Sequence, residues 1–172
     1  MTEPATEPGG ERKRKPRWRW VVEIAILAAI FFGFRAWQQR DAPSGPAPAL
    51  AGTSAHGTPL ALERGRPVLV HFWATWCGVC KAEEDNVVAI AQGHRVITVA
   101  SQSGDAGAVR RYLDERRVEL PTLVDPNGAI AHRWGVHAFP TSFVIDPQGR
   151  IRHVEVGYTT TIGMRLRLWL AS

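Results

Sequence analysis

"HFWATWCGVCKAEE", His71 to Glu84, holds both cysteines of the 172-residue chain, Cys77 and Cys80. The run "RPVLVHFWA" that leads into it is apolar and β-rich, with the length of a buried strand. From Val79 the pattern turns helical as far as Gly93, placing Val87, Val88, Ala91 and either Ala82 or Glu83 on an inner stripe. A strand therefore delivers Cys77 to the first turn of a helix. Unpaired backbone N–H groups and the helix dipole there stabilise a thiolate, lowering a cysteine pKa into a range of about 3.5 to 7.5.

Four kinds of cysteine pair fit a two-residue gap. A structural staple would close a tiny loop and stabilise little. Zinc usually takes four ligands, and His71, His94, His132, His137 and His153 show no tight metal spacing. Lys81 follows Cys80 where a haem-attachment motif needs histidine. Redox exchange remains, with Cys77 as the attacking sulfur and Cys80 as the thiol that displaces the mixed disulfide. No cofactor and no metal is expected, because the two sulfurs carry both electrons.

Working outward, "HRVITVAS" reads as a second buried strand. "GDAGAVRRYLDERRV" reads as a charged helix showing Val109, Tyr112 and Leu113 to a core, with Asp105 in its first turn. After "LPTLVD" and a turn at Asp125 to Gly128 comes a short helical piece with Ala131 and Trp134. "TSFVIDPQGRIRHVEVGY" gives two strands joined across Asp146 to Gly149. The stretch Thr159 to Leu170 is two-sided: Met164, Leu166 and Leu168 alternate like a strand, while Ile162, Leu166, Trp169 and Leu170 repeat like a helix. A helix is expected, with threonines to cap it. The sum is an α/β sandwich around a mixed sheet.

Toward the N-terminus the composition changes. The formal charge of +5 is concentrated in Arg12, Lys13, Arg14, Lys15, Arg17 and Arg19, and from Asp41 onward acids nearly balance bases, so there is no basic face for nucleic acid. Trp18 to Trp37 would make about 30 Å of helix, the thickness of a bilayer core. Tryptophans stand at both its ends, and the preceding basic cluster holds the N-terminus in the cytoplasm. A cleaved signal peptide is the rival, but Arg35 to Arg40 occupy the place of a small-residue cleavage site. The expected organisation is a basic cytoplasmic segment at 1–19, a transmembrane signal anchor at 20–37, a mobile Pro/Ala/Gly linker at 38–57 and a folded domain at 58–172. Export places the cysteines where disulfides persist.

"FWATWCGVCK" before a helix, with "FPT" at Phe139 to Thr141 ahead of a strand hairpin, resembles the thioredoxin fold. The anchor and the "WATWC" wording make the chain similar to the membrane-tethered periplasmic TlpA-like group, in particular to suppressor-of-copper-sensitivity D proteins, over Thr58 to Ser172. The resemblance implies a thioredoxin-like α/β fold, a central mixed sheet flanked by helices. It implies that Pro140 is a cis-proline lying against the disulfide, and that Phe139, with Thr141 and Trp76, meets an extended substrate chain. By the same resemblance Glu83 takes a proton during exchange, its alternative being a solvated helix face shared with Glu84 and Asp85. His71 stands where thioredoxin has a buried aspartate, as a proton relay or as a hydrogen-bonded core histidine. Val79 and Asp85 replace prolines common in the family.

The resemblance implies an inner-membrane, periplasm-facing oxidoreductase acting on thiol- or disulfide-containing proteins. The expected direction is reduction, with a membrane electron donor or acceptor of the DsbD type. Dithiol oxidation is the alternative. A third reading is a non-catalytic module that clamps a partner or holds copper between its sulfurs, since soft thiolates select Cu(I).

Overall fold

A computed structural model of the chain describes residues 17–39 and 44–172. The basic segment 1–16 and residues 40–43 of the expected linker lie outside the described residues. The chain divides into two units, Met1–Trp37 and Gln38–Ser172.

In the first unit a single helix, α1, begins at Arg17, and it ends at Gln39 just inside the second unit. Trp18, Trp20, Ile24, Leu27 and Ile30 on it are exposed. Among the described residues no helix is long and apolar enough to cross a membrane, so the helix alone does not establish the span expected at 20–37.

The second unit is built on a six-stranded mixed sheet. Its first half holds β1 (Gly45–Pro46), β2 (Ala51–Thr53), β3 (Pro59–Ala61), β4 (Val68–Trp73), α2 (Gly78–Ala91) and β5 (Arg95–Ser101). The second half holds α3 (Ala106–Arg116), β6 (Thr122–Asp125), α4 (Ala129–Arg133), β7 (Thr141–Ile145), β8 (Arg150–Val156) and α5 (Thr161–Leu170). The strand order is β1-β8-β7-β4-β5-β6, with β2 and β3 forming a separate pair. β4 runs parallel to β5 and antiparallel to β7. All six residues of β4 are buried, as befits a strand covered on both faces.

Its alternation sorts the core into two layers. Leu69 and Trp73 pack with Val87 and Ile90 of α2, Leu113 of α3, and Met164 and Leu168 of α5. Val68, Val70 and Phe72 point the other way, toward Trp134, Phe143 and Ile145. Phe72, Trp134 and Phe143 meet with ring centroids 5.1–5.6 Å apart, tilted or edge to face, the arrangement favoured by ring quadrupoles. Every residue of both clusters lies within the second unit, which therefore carries a complete core of its own.

The expected mobile linker is corrected from residue 45 onward. Gly45 and Pro46 pair with Ile151 and Arg150 at the sheet edge, Ala51 to Thr53 pair with Pro59 to Ala61, and Leu50 and Ala55 are each only 4% exposed. Small residues that cannot build a core can still complete an existing one, because edge pairing is a backbone interaction.

α5 is helical as expected, capped by Thr160, whose Oγ1 accepts the Gly163 N–H at 3.2 Å. Its buried stripe is not the one that suggested the helix. Met164, Leu168 and Ala171 face the sheet, whereas Ile162, Leu166, Trp169 and Leu170 are 53–80% exposed.

Candidate active site

β4 ends at Trp73, and the chain turns through Ala74 to Trp76, closed by the Cys77 N–H donating to the Ala74 carbonyl at 3.1 Å. Cys77 is the N-cap of α2, in extended conformation, and its Sγ accepts the Cys80 N–H at 3.1 Å. The two sulfurs form a disulfide of 2.10 Å with Cα atoms 5.3 Å apart. Cys77 is 7% and Cys80 5% exposed. On reduction, negative charge at Cys77 would sit on the Cys80 amide and the positive end of a fourteen-residue helix, both of which favour a thiolate.

The Phe139–Pro140 bond is cis, as expected. Thr141 pairs with Phe72, so the turn before β7 lies at the sheet end where β4 gives way to the cysteines. Half-buried Phe139 packs against the cluster that contains Cys77 and Cys80. Its ring meets Trp76 edge to face at 5.8 Å, and Trp76 is 61% exposed. Trp76 and Phe139 therefore form an aromatic wall beside the disulfide. Thr141 does not join it: the residue is buried, and its hydroxyl donates to the Ala138 carbonyl at 2.8 Å. Its role is to close the turn that presents Pro140.

Glu83 lies one turn beyond Cys80 on the buried face of α2 and is wholly shielded from solvent, which removes the solvated-face alternative. Ala82, the other candidate for that stripe, is exposed. Oε1 of Glu83 accepts the Thr159 N–H at 3.1 Å, while Oε2 has no hydrogen-bond partner among the described residues. Burial pushes the carboxyl from 4.5 up to about 7, the Thr159 N–H opposes this, and the Glu155 carboxylate adds to it.

His71 is buried, with Nδ1 2.9 Å from Ser142 Oγ, the geometry of a hydrogen-bonded core histidine. Burial lowers it from 6.5 to about 4, so it is neutral at neutral pH. It shares a cavity of about 20 Å³ with Cys80, Trp73, Glu84, Val87, Leu113, Val118 and Leu120.

Other residues steady the site without any signal in the motif. The Thr75 N–H donates to Ser103 Oγ at 3.0 Å, and Trp76 Nε1–H donates to the Gln102 carbonyl at 3.0 Å. Ser103 Oγ donates in turn to the Ser101 carbonyl, and Ser101 Oγ to Asp125 Oδ2, each at 2.9 Å. Asp125 is buried and also accepts the Ile130 and Ala131 N–H groups at the start of α4. Gln102 sits at φ 50°, a left-handed conformation uncommon outside glycine. Asp125 had been legible only as a turn residue, and nothing in sequence connected the loop 101–104 with the cysteine turn.

Residues 42–165 match the Redoxin family. The chain is 34% identical over 112 residues to a thioredoxin-like protein of Haemophilus influenzae, covering 64% of this chain and 66% of that one. It is 31% identical over 147 residues to the thiol:disulfide interchange protein DsbE of Allochromatium vinosum, covering 78% and 79%. Among solved structures, a thiol:disulfide interchange protein of the thioredoxin family from Chlorobium tepidum superposes with a TM-score of 0.66 at 24% identity, over 76% of this chain and 98% of that one. The exposed lipoprotein thioredoxin Etrx1 of Streptococcus pneumoniae does so with a TM-score of 0.62 at 25% identity, over 72% and 99%. The likeness in structure carries the thioredoxin-like fold, and the cystine at the head of α2 carries the chemistry. The chain belongs to the Redoxin family, as a thiol–disulfide oxidoreductase akin to the DsbE and ResA proteins.

Proposed function

We propose that this protein reduces disulfides in proteins of the periplasm while tethered to the inner membrane by α1. The placement of Cys77 Sγ on the Cys80 N–H at the head of α2 supports the exchange chemistry, and the reductive direction is taken from the resemblance to membrane-tethered TlpA-like proteins. In the reduced form the Cys77 thiolate attacks a client disulfide, forming a mixed disulfide and expelling one client sulfur as thiolate. Cys80 then loses its proton, attacks Cys77 Sγ and expels the second client sulfur. The client gains two electrons, its two thiolates take up the proton given up by Cys80 and one from solvent, and the Cys77–Cys80 disulfide forms. A membrane electron donor of the DsbD type restores the dithiol.

The magnitudes choose the base for Cys80. Proton acceptance near neutrality calls for a pKa near the working pH. Glu83, at about 7, meets that requirement, and His71, at about 4, does not. We therefore assign the proton of Cys80 to Glu83, and to His71 a neutral structural place under the sulfurs. Trp76, Phe139 and Pro140 make the surface on which an extended client chain lies. The membrane tether is supported by the basic cluster before α1 and by the exposed tryptophans and aliphatic residues on it.

Insulin reduction tests the reading, with Cys77→Ser expected to abolish turnover and Cys80→Ser to accumulate a mixed disulfide. Turnover by Cys77→Ser would refute it. Equilibration with glutathione at known ratios decides direction: a pair reduced only under strongly reducing ratios is a reductase, and one that stays reduced in a mildly oxidising mixture is a dithiol oxidase. Membrane fractionation of the full chain against a variant lacking 1–37 tests the tether.

A further inference from the structure

α5 is apolar on two opposite faces, which is unusual for a helix on the outside of a small domain. One stripe, Met164, Leu168 and Ala171, covers the sheet. The other, Ile162, Leu166, Trp169 and Leu170, follows helical spacing on the far side with exposures of 80%, 53%, 69% and 54%. Nothing among the described residues covers it. At about 100° per residue, Arg165 and Arg167 fall on the two borders between the stripes, and α5 contains no carboxylate. Arg167 turns inward to Glu155 at 2.7 Å and to the Gly163 carbonyl at 2.9 Å, while Arg165 is exposed.

We infer that the outward face of α5 rests on the surface of an anionic lipid bilayer. An apolar stripe containing tryptophan, bordered by arginine and free of acids, is the pattern of a helix lying in the headgroup plane, where long basic side chains keep their charge at the phosphate level. Charge decides against a second copy as the occupant. Two α5 helices face to face would bring the exposed Arg165 of each copy to one seam with no carboxylate from either helix to meet it, since each Arg167 is held by its own Glu155, a like-charge contact.

The inference deepens the membrane reading above and rests on that reading for one further step. Only residues 40–44 separate α1 from β1, so a chain anchored through α1 offers α5 to lipid at a high effective concentration. β1 joins β8 at Arg150 and Ile151, and the registers of β8 on β7 and of β7 on β4 put that end of the sheet opposite the cysteine turn.

The test uses the fragment 38–172, which holds the whole sheet and both apolar clusters, with vesicles of phosphatidylcholine alone and of phosphatidylcholine with phosphatidylglycerol. The fragment should co-sediment with the anionic vesicles, and the double variant Leu166→Ser, Trp169→Ser should bind about tenfold more weakly, as should Arg165→Glu. Insulin reduction by both variants should match wild type, which shows that they are folded. Failure of the wild-type fragment to bind anionic vesicles overturns the inference. So does a dimer in sedimentation velocity that the double variant dissolves, since the occupant is then a second copy. The full-length double variant should still fractionate with membranes through α1, so loss of the α5 contact and loss of the anchor are read separately.

Discussion

Two buried ionisable groups flank the core under the disulfide, and their effects on stability run in opposite directions with pH. Glu83 titrates at about 7 in the folded protein against 4.5 as its reference. The folded state therefore holds that proton more tightly, and stability falls as pH rises from 4.5 to 7. His71 titrates at about 4 against 6.5. The unfolded state binds that proton more tightly, and stability falls as pH drops from 6.5 to 4. Each displacement corresponds to ~3 kcal/mol between its limits. Between about pH 4.5 and 6.5 the two slopes cancel, so wild type is expected to show a plateau from this pair. Glu83→Gln removes the falling limb: relative to wild type it gains ~3 kcal/mol between pH 4.5 and 8. His71→Asn removes the acid loss, and its difference from wild type shifts by a similar amount between pH 7 and 4. The assay is urea unfolding of the oxidised protein at pH 4, 5, 6, 7 and 8, reading the difference between variant and wild type so that groups common to both drop out. A Glu83→Gln difference that is the same at pH 4.5 and 8 would refute the assignment of a raised carboxyl, and with it the choice of Glu83 as proton acceptor.

Further outcomes follow from the same geometry. Exchange of wild type with a protein disulfide should gain rate through about pH 7 as Glu83 ionises, and stopped-flow measurement should find that rise missing in Glu83→Gln. Asp125→Ala strips acceptors from the Ser101 hydroxyl and two amides of α4, and urea unfolding should show a loss of ~2–4 kcal/mol. Ser103→Ala removes the acceptor for the Thr75 N–H; thermal unfolding should shift by only ~1 kcal/mol, while insulin reduction slows because the cysteine turn is less well held. Trp134→Ala should cost ~3–5 kcal/mol in denaturant titration, since that ring is wholly buried between Phe72 and Phe143.

The strand before Cys77, the helix after it and the mixed sheet were legible in the sequence because each depends on local periodicity and on turn chemistry such as the Asp146–Gly149 hairpin. Its Asp146 side chain accepts the Gln148 and Arg150 amides. The order of residues 45–57 was not legible. Their composition is poor in apolar side chains, and besides the local β2–β3 pair they are ordered by pairing of residues 45–46 with β8 and of residues 54–55 with β6, both distant in sequence. The helix at 161–170 was identified from the wrong stripe, since periodicity gives the spacing of a face and not the side of the helix that meets the core.

At the site, the sequence by itself determined the chemistry: two thiols one helical turn apart at a strand-to-helix junction can exchange electrons wherever that junction folds. Only the tertiary structure decided which neighbours serve them. From sequence Glu83 was favoured as a proton acceptor while His71 stood evenly between relay and core histidine, and burial separates them by pushing a carboxyl up to about 7 and an imidazole down to about 4. Gln102, Ser103 and Asp125 reach the cysteine turn only through the folded sheet, because desolvation and hydrogen bonding depend on what surrounds a group in space, and residue order along the chain does not contain it.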